Sequence, residues 1–245
     1  MTQPDTFDPS ASSTNPREQS SAGPDQERPV PSVDERPERS ERAASPLQQA
    51  REFAATGEMT AALTTVRALI AREPKNARAR FLLAELLAHK GDVEGAVGEL
   101  GRALEATPDD AQILCARATL YTARGKYDQA EVDLRRAVKI DDRNSDVQVQ
   151  LGVLFCKRAR WREAIDPLRA AISADPHNAA AHYHLGDAYN SIDELPEALR
   201  SYEAAAQLEP ANDRALKRIG VVLDRMGRPK EAEVAYQRAR AAQRK

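Results

Sequence analysis

The sequence of 245 residues is poor in aromatic residues, cysteines and long apolar runs. Only 4% of its residues are aromatic, and it has two cysteines, Cys115 and Cys156. Two cysteines are too few for a disulfide scaffold or for a zinc site with four cysteine ligands. No apolar run approaches the ~20 residues that a membrane-spanning helix needs, and the first ten residues lack the basic and apolar regions of a secretory signal. These absences predict a cytoplasmic protein that does not insert into a membrane.

The charge balance excludes a further class. Lysine and arginine together number 36 and aspartate and glutamate 38, which gives a net charge of −2 and a pI near 6.2. A protein that binds nucleic acid generally carries a clear excess of basic residues, so no nucleic-acid partner is expected. The bases are 28 arginines and 8 lysines, a ratio that indicates a GC-rich genome and a bacterial source.

Motifs that carry chemistry are also missing from the sequence. There is no phosphate-binding glycine loop, no His-Glu-x-x-His zinc motif, no Gly-x-Ser-x-Gly elbow and no dinucleotide fingerprint. His182 and His184 are two residues apart, so on a helix they point to different faces and make a poor pair of metal ligands. The sequence therefore predicts no enzymatic activity, no cofactor and no metal site.

Residues 1–42 differ in kind from the rest of the chain. They contain seven prolines, nine acidic residues, five arginines and one aromatic residue, Phe7. Such a segment has too little apolar surface to offset the entropy of ordering it, so we predict a disordered tail. It is either a recognition or phosphorylation segment with several serines or a solubilising leader. The run Ser45-Pro46-Leu47-Gln48, with a capping serine and a proline suited to the first turn, predicts that order begins there.

The remaining residues repeat with a period of 34. Pro74, Pro108, Pro176 and Pro210 follow this spacing, and so does a series of alanines that runs from Ala62. The periodicity predicts six units, which span residues 43–76, 77–110, 111–144, 145–178, 179–212 and 213–245.

Each unit resembles the tetratricopeptide repeat, whose signature runs Trp-x2-Leu-Gly-x2-Tyr, then Ala-x3-Phe, then Pro. The fifth unit matches best, and the third is the loosest, because Arg117 and Asp142 break its pattern. The signature positions of the fifth unit are held by His182, Leu185-Gly186, Tyr189, Ala198, Tyr202 and Pro210.

The resemblance implies an all-α fold, a right-handed superhelical solenoid of antiparallel helix pairs behind the disordered tail. Small residues such as Gly186 and Ala198 would form a seam where the two helices of a unit approach closely. Gly57, Gly91, Gly125 and Gly227 would supply left-handed backbone where first helices end. In this family the first helices line a concave groove that accepts an extended or helical segment of another protein.

Apolar residues recur along the expected groove. Following 34-residue steps on the first helices, we identify Phe81, Val149, Val153 and Tyr183 as candidate partner contacts, with His184 beside them. An aromatic anchor in a concavity is a common form of binding hot spot. The alternative is that these side chains pack within their own helix pairs.

The last unit is basic. Arg214, Lys217, Arg218 and Arg225 are expected to converge on its inner face, where they would receive an acidic segment or a terminal carboxylate. The alternative is a solvated cap, because a terminal repeat needs a polar outer face.

The sequence therefore favours a protein-binding adaptor or scaffold that acts without catalysis. The alternative is a structural or assembly subunit of a larger bacterial secretion, pilus or motility machine, which would use the convex face or the solenoid ends. Self-association is compatible with either hypothesis. A third hypothesis is that the acidic tail folds back over the groove.

Overall fold

The computed structural model describes residues 45–243, so the tail predicted for residues 1–42 lies outside the described residues. Within 45–243 all regular structure is α-helical, in six pairs of helices joined by short turns. The predicted all-α stack of helix pairs is confirmed for this range. In chain order the helices are α1 (Pro46–Ala55), α2 (Met59–Arg72), α3 (Ala77–His89), α4 (Val93–Ala106), α5 (Ala111–Ala123), α6 (Tyr127–Ile140), α7 (Ser145–Lys157), α8 (Trp161–Ala174), α9 (Ala179–Ser191), α10 (Leu195–Leu208), α11 (Asp213–Arg225) and α12 (Pro229–Ala242).

The first helix of each pair begins at a side-chain cap. Ser45 accepts a hydrogen bond from the backbone N–H of Gln48 at 3.2 Å, as its sequence predicts. The five later first helices use an asparagine or aspartate instead, which satisfies a backbone N–H that the helix itself leaves unpaired. These caps recur every 34 residues and are Asn76, Asp110, Asn144, Asn178 and Asn212.

The turn inside each pair requires left-handed backbone. The four glycines expected there have φ between +71° and +90°, which confirms the prediction. In the fourth and fifth pairs the same position is occupied by Ala159 at φ +55° and Asp193 at φ +68°. A side chain with a Cβ pays a steric penalty in this region, so these two turns are strained where the other four are relaxed.

The seam of small residues brings the helices of a pair together. Ala50, Ala84 and Ala118 are buried on the first helices of the first three pairs. Glycine replaces them in the last three pairs, where the facing side chain approaches the first helix too closely for a Cβ; these side chains are Leu168, Tyr202 and Tyr236. A Cβ added to Gly186 would lie 2.7 Å from the ring of Tyr202, and the glycines at 152 and 220 are equally close to their neighbours.

The pairs stack in sequence order. Each second helix packs against its own first helix, and each one from α2 to α10 also packs against the first helix of the next pair. First helices also touch one another directly, as between α5 and α7 and between α7 and α9. The core is therefore a continuous row of small interfaces, each shared by neighbours in the chain.

Arg117, which breaks the repeat signature, forms a buried ion pair. Its Nε and Nη2 donate to the two carboxylate oxygens of Asp133 on α6, each at 2.7 Å. The Asp133 side chain is 5% exposed. The irregular residue thus has a specific partner inside its own pair.

Candidate partner-binding face

The exposed sides of α1, α3, α5, α7, α9 and α11 form what we call the first-helix face. A cleft of about 310 Å³, here the central cleft, crosses three successive helices of this face, α3, α5 and α7. Its apolar part includes Phe81, Cys115 and Ala116, and its polar part includes Gln112 and Gln150. The remaining lining residues are Ala111, Thr119, Asn144, Asp146 and Val147.

The predicted apolar contacts of the middle pairs lie on this face. Phe81 is half-buried and packs partly against the hydrophobic core while it borders the cleft. Val149 and Val153 on α7 are also half-buried, yet neither belongs to the core or to the side chains packed against it within residues 45–243. Part of each of these two valine side chains is therefore open to a partner.

Tyr183 differs from the valines of the same track. It is 8% exposed, and its ring meets the ring of Tyr202 edge-on with centroids 5.7 Å apart. The Arg214 guanidinium lies 5.4 Å from the centre of the Tyr183 ring, and Arg218 Nε donates to its hydroxyl at 3.4 Å. For Tyr183 the packing alternative holds, because its ring fills space between α9, α10 and α11.

His184 belongs to a polar network beneath the surface of α9. Its Nδ1 lies 3.6 Å from Oδ2 of Asp187, and the hydroxyl of Tyr202 donates to Oδ1 of Asp187 at 2.7 Å. Burial raises the pKa of Asp187, but hydrogen bonds from His184 and Tyr202 and the charge of Arg218 outweigh it, so this pKa lies below its usual value. Burial and the hydrogen bond to Asp187 raise the pKa of Tyr202. The Asp187 carboxylate is thus held in place by the groups that donate hydrogen bonds to it.

The four basic residues of the last pair do not form one cluster. Lys217 pairs with Asp213 at 2.8 Å and Arg218 lies 3.4 Å from Asp187. Arg225 was expected to join them but instead donates to Asp193 and Asn190 at the turn of the fifth pair, a full helix length from Arg214.

Arg214 alone of the four has no carboxylate within 4 Å in the described chain. It borders a smaller cleft of about 130 Å³ between α9 and α11, together with His184 and Tyr183. Its charge is therefore the one that remains available to a partner.

Both cysteines are free thiols, Cys115 buried and Cys156 half-buried. Burial raises the pKa of Cys115 to about 11 and the pKa of Cys156 to about 12, and nearby carboxylates add to both shifts. A thiol with so high a pKa has almost no thiolate at neutral pH.

No group of three or more histidine, cysteine, aspartate or glutamate side chains is arranged for a metal ion between residues 45 and 243. None of the helices in that same range has the length and apolarity to cross a bilayer.

Sequence reasoning missed two residues of the face. Gln112 and Asp146 line the central cleft, but the tracks followed along the expected groove did not include them. The available signal was their spacing, since Gln112 and Asp146 occupy the same position in successive units. Thr119 also donates to Gln150 at 3.2 Å, which links α5 to α7 across the cleft.

Two family models match the chain. One, described as tetratricopeptide repeat, matches residues 47–111. The other is described as the N-terminal domain of the ESX-1 type VII secretion system protein EccA1, and it matches residues 102–245, more than half of the chain. With the six helix pairs, these matches define a tetratricopeptide repeat protein. In particular, the chain belongs to the family of the EccA1 N-terminal domain.

Solved structures share the architecture. The crystal structure of MamA is 26% identical with a TM-score of 0.63, and the match covers 66% of this chain and 95% of MamA. Pseudomonas aeruginosa pilF is 18% identical with a TM-score of 0.68, covering 80% of this chain and 95% of pilF. YrrB, described as a TPR protein with an unusual peptide-binding site, is 21% identical with a TM-score of 0.61, covering 73% and 92%. No curated protein matches the sequence.

Proposed function

We propose that the protein is a cytoplasmic adaptor that binds a segment of another protein on its first-helix face, without catalysis. The observation that carries this proposal is the central cleft, in which three successive first helices present apolar and amide side chains to one space. A segment that crosses several repeats meets a new set of side chains at each one, which suits recognition of an extended or helical peptide.

The environment of α7 supports the same proposal. Val149 and Val153 on α7 are partly exposed and lie outside the hydrophobic core. A partially exposed apolar patch next to polar groups is the usual composition of a protein-binding surface. Of the residues predicted from sequence, Phe81, Val149 and Val153 are therefore proposed as apolar contacts, with His184 and Arg214 at the far end of the face. The other predicted residues of this end are proposed to hold its helices in place and not to contact the partner; they are Tyr183, Lys217, Arg218 and Arg225.

A second candidate function is assembly of a larger bacterial machine. The observation that favours it is the match to the EccA1 N-terminal domain, a component of a secretion system. In this case the contact surface would be the second helices, where Val132 is 67% exposed and Val234 is 56% exposed. These two valines project from α6 and α12 and serve as markers of that surface.

The two candidates are separated by a matched pair of double variants. Val149→Glu with Val153→Glu adds two charges to the first-helix face, and Val132→Glu with Val234→Glu adds two charges to the second helices. None of the four valines lies in the hydrophobic core. Far-UV circular dichroism and thermal melting should therefore show that both variants stay folded.

The measurement is affinity capture by the full chain from lysate of the source bacterium, with quantitative mass spectrometry. An adaptor predicts a partner that Val149→Glu/Val153→Glu loses and that Val132→Glu/Val234→Glu keeps. The opposite pattern would support the assembly function. A partner retained by both variants, or no partner at all, would contradict binding on the first-helix face.

A further inference from the structure

A row of exposed side chains runs along the first-helix face at the start of the helices. The second residue of each first helix from α3 to α11 is exposed, and these residues are Arg78, Gln112, Asp146, Ala180 and Arg214. We call them the second-position row. Gln112 and Asp146 border the central cleft, and Ala180 and Arg214 border the smaller cleft between α9 and α11. Four of the five residues of the row therefore border a cleft, and Arg78 lies on α3 three residues before Phe81 of the central cleft.

The charged side chains of this row form no ion pairs within the described fold. Between residues 45 and 243, Arg78, Asp146 and Arg214 have no ion-pair partner within 4 Å. The Arg214 guanidinium lies over the face of the Tyr183 ring, in a cleft that Glu209 also lines. A cation in the first turn of a helix is opposed by the helix dipole, so the two arginines do not stabilise α3 and α11. A solvated charge without a structural role on the edge of a cleft is a natural contact for a ligand.

The sign of charge alternates along the row. Positive, neutral, negative, neutral and positive groups follow one another, with a charge on every second repeat. Taking the ~8–10 Å spacing of packed helices for neighbouring first helices places charges two repeats apart at about 20 Å. An extended chain advances about 3.3 Å per residue and covers that distance in about six residues.

Resting on the proposed adaptor function, we propose that the second-position row selects an extended partner segment whose side chains run acidic, basic, acidic at intervals of about six residues. The acids face Arg78 and Arg214, and the base faces Asp146. An apolar side chain between one acid and the base enters the central cleft beside Phe81. Because the charge order is the same in both directions, charge alone does not fix the polarity of the segment.

The test uses synthetic peptides of about 15 residues and the full chain, with binding followed by fluorescence anisotropy. One peptide carries the order acid, base, acid around central leucines. A second has the same composition in the order acid, acid, base, and a third has the order base, acid, base. The first peptide should bind about tenfold more tightly than either of the others, and the preference should shrink as salt is added.

The decisive variant reverses the row with Arg78→Glu, Asp146→Lys and Arg214→Glu. It should prefer the base, acid, base peptide. The control makes the same charge changes on exposed positions of second helices, with Arg162→Glu, Asp166→Lys and Lys230→Glu, and it should keep the original preference.

Three outcomes would overturn the role of the row: equal affinity for the three peptides, a preference that the row variant does not reverse, or no binding of the first peptide. If the three peptides bound with equal affinity and the Val149→Glu/Val153→Glu variant bound none of them, the role of the row would be overturned and the adaptor function would stand. A reversed preference would establish the row even if the lysate experiment returned no partner.

Discussion

Replacing Arg117 by leucine should destabilise the protein although leucine is the residue that the repeat signature prefers there. The Asp133 carboxylate would keep its burial, with a side chain only 5% exposed, and lose both of its 2.7 Å hydrogen bonds. Removing one partner of a buried ion pair costs about 3–5 kcal/mol. The Arg117 side chain is 21% exposed, so water would partly reach the vacated site, and we expect a loss near 3 kcal/mol.

A second substitution should reverse this loss. In the fifth pair Leu185 and Ser201 occupy the places of Arg117 and Asp133, and both are buried. The double variant Arg117→Leu/Asp133→Ser copies that arrangement into the third pair and leaves no buried charge. Replacing a buried ion pair as a unit is often neutral or stabilising, so the double variant should lie within about 1 kcal/mol of the parent.

The assay is urea denaturation of the full chain followed by circular dichroism at neutral pH. Arg136→Leu serves as the control, because Arg136 pairs with Asp109 at 2.8 Å on the surface and such pairs contribute at most about 1 kcal/mol. The reasoning would be refuted if Arg117→Leu unfolded at the same urea concentration as the parent. It would also be refuted if the double variant were no more stable than the single one.

Three further predictions concern the seam, the turns and the thiols. Gly186→Ala should destabilise by about 1–3 kcal/mol, because its Cβ would lie 2.7 Å from the buried Tyr202 ring; an unchanged melting curve would contradict this packing. Ala159→Gly should stabilise by about 0.5–1 kcal/mol by relieving a residue at φ +55°, and a lower urea midpoint would show that the turn is not strained. Cys115 and Cys156 should resist iodoacetamide at pH 7.5 in the native protein and react on unfolding, because burial raises the pKa of each to about 11 and about 12; rapid native labelling followed by mass spectrometry would argue against this burial.

Much of the fold was predictable because the repeat constrains backbone geometry in every unit. A helix that ends at a left-handed residue needs glycine most of the time, so Gly57, Gly91 and Gly125 identify turns without knowledge of tertiary contacts. Ser45 identifies the start of α1 because the hydrogen bond of a helix cap joins residues within one turn of the chain. Both features depend on residues close in sequence.

The site was less predictable because burial depends on residues far apart in the chain. Val149 and Tyr183 occupy the same position in successive repeats, yet only Tyr183 faces a second tyrosine ring and two arginines of the next pair. The pairing of Lys217 with Asp213 follows from their spacing of four residues on one helix. The contacts of Arg225 with Asn190 and Asp193 cross more than 30 residues, so a count of basic residues gave the charge of the last pair but not its distribution.

The division of the seam into an alanine half and a glycine half limits how this chain can be recombined. Ala50, Ala84 and Ala118 face the positions of Val66, Leu100 and Leu134, whereas tyrosines fill the space opposite glycine in the last two pairs. Grafting α10 behind α3 would drive a tyrosine ring into an alanine methyl, and grafting α4 behind α9 would leave a void. The unit that can be duplicated, deleted or exchanged, in evolution or in engineering, is therefore the matched pair of helices and not the single helix.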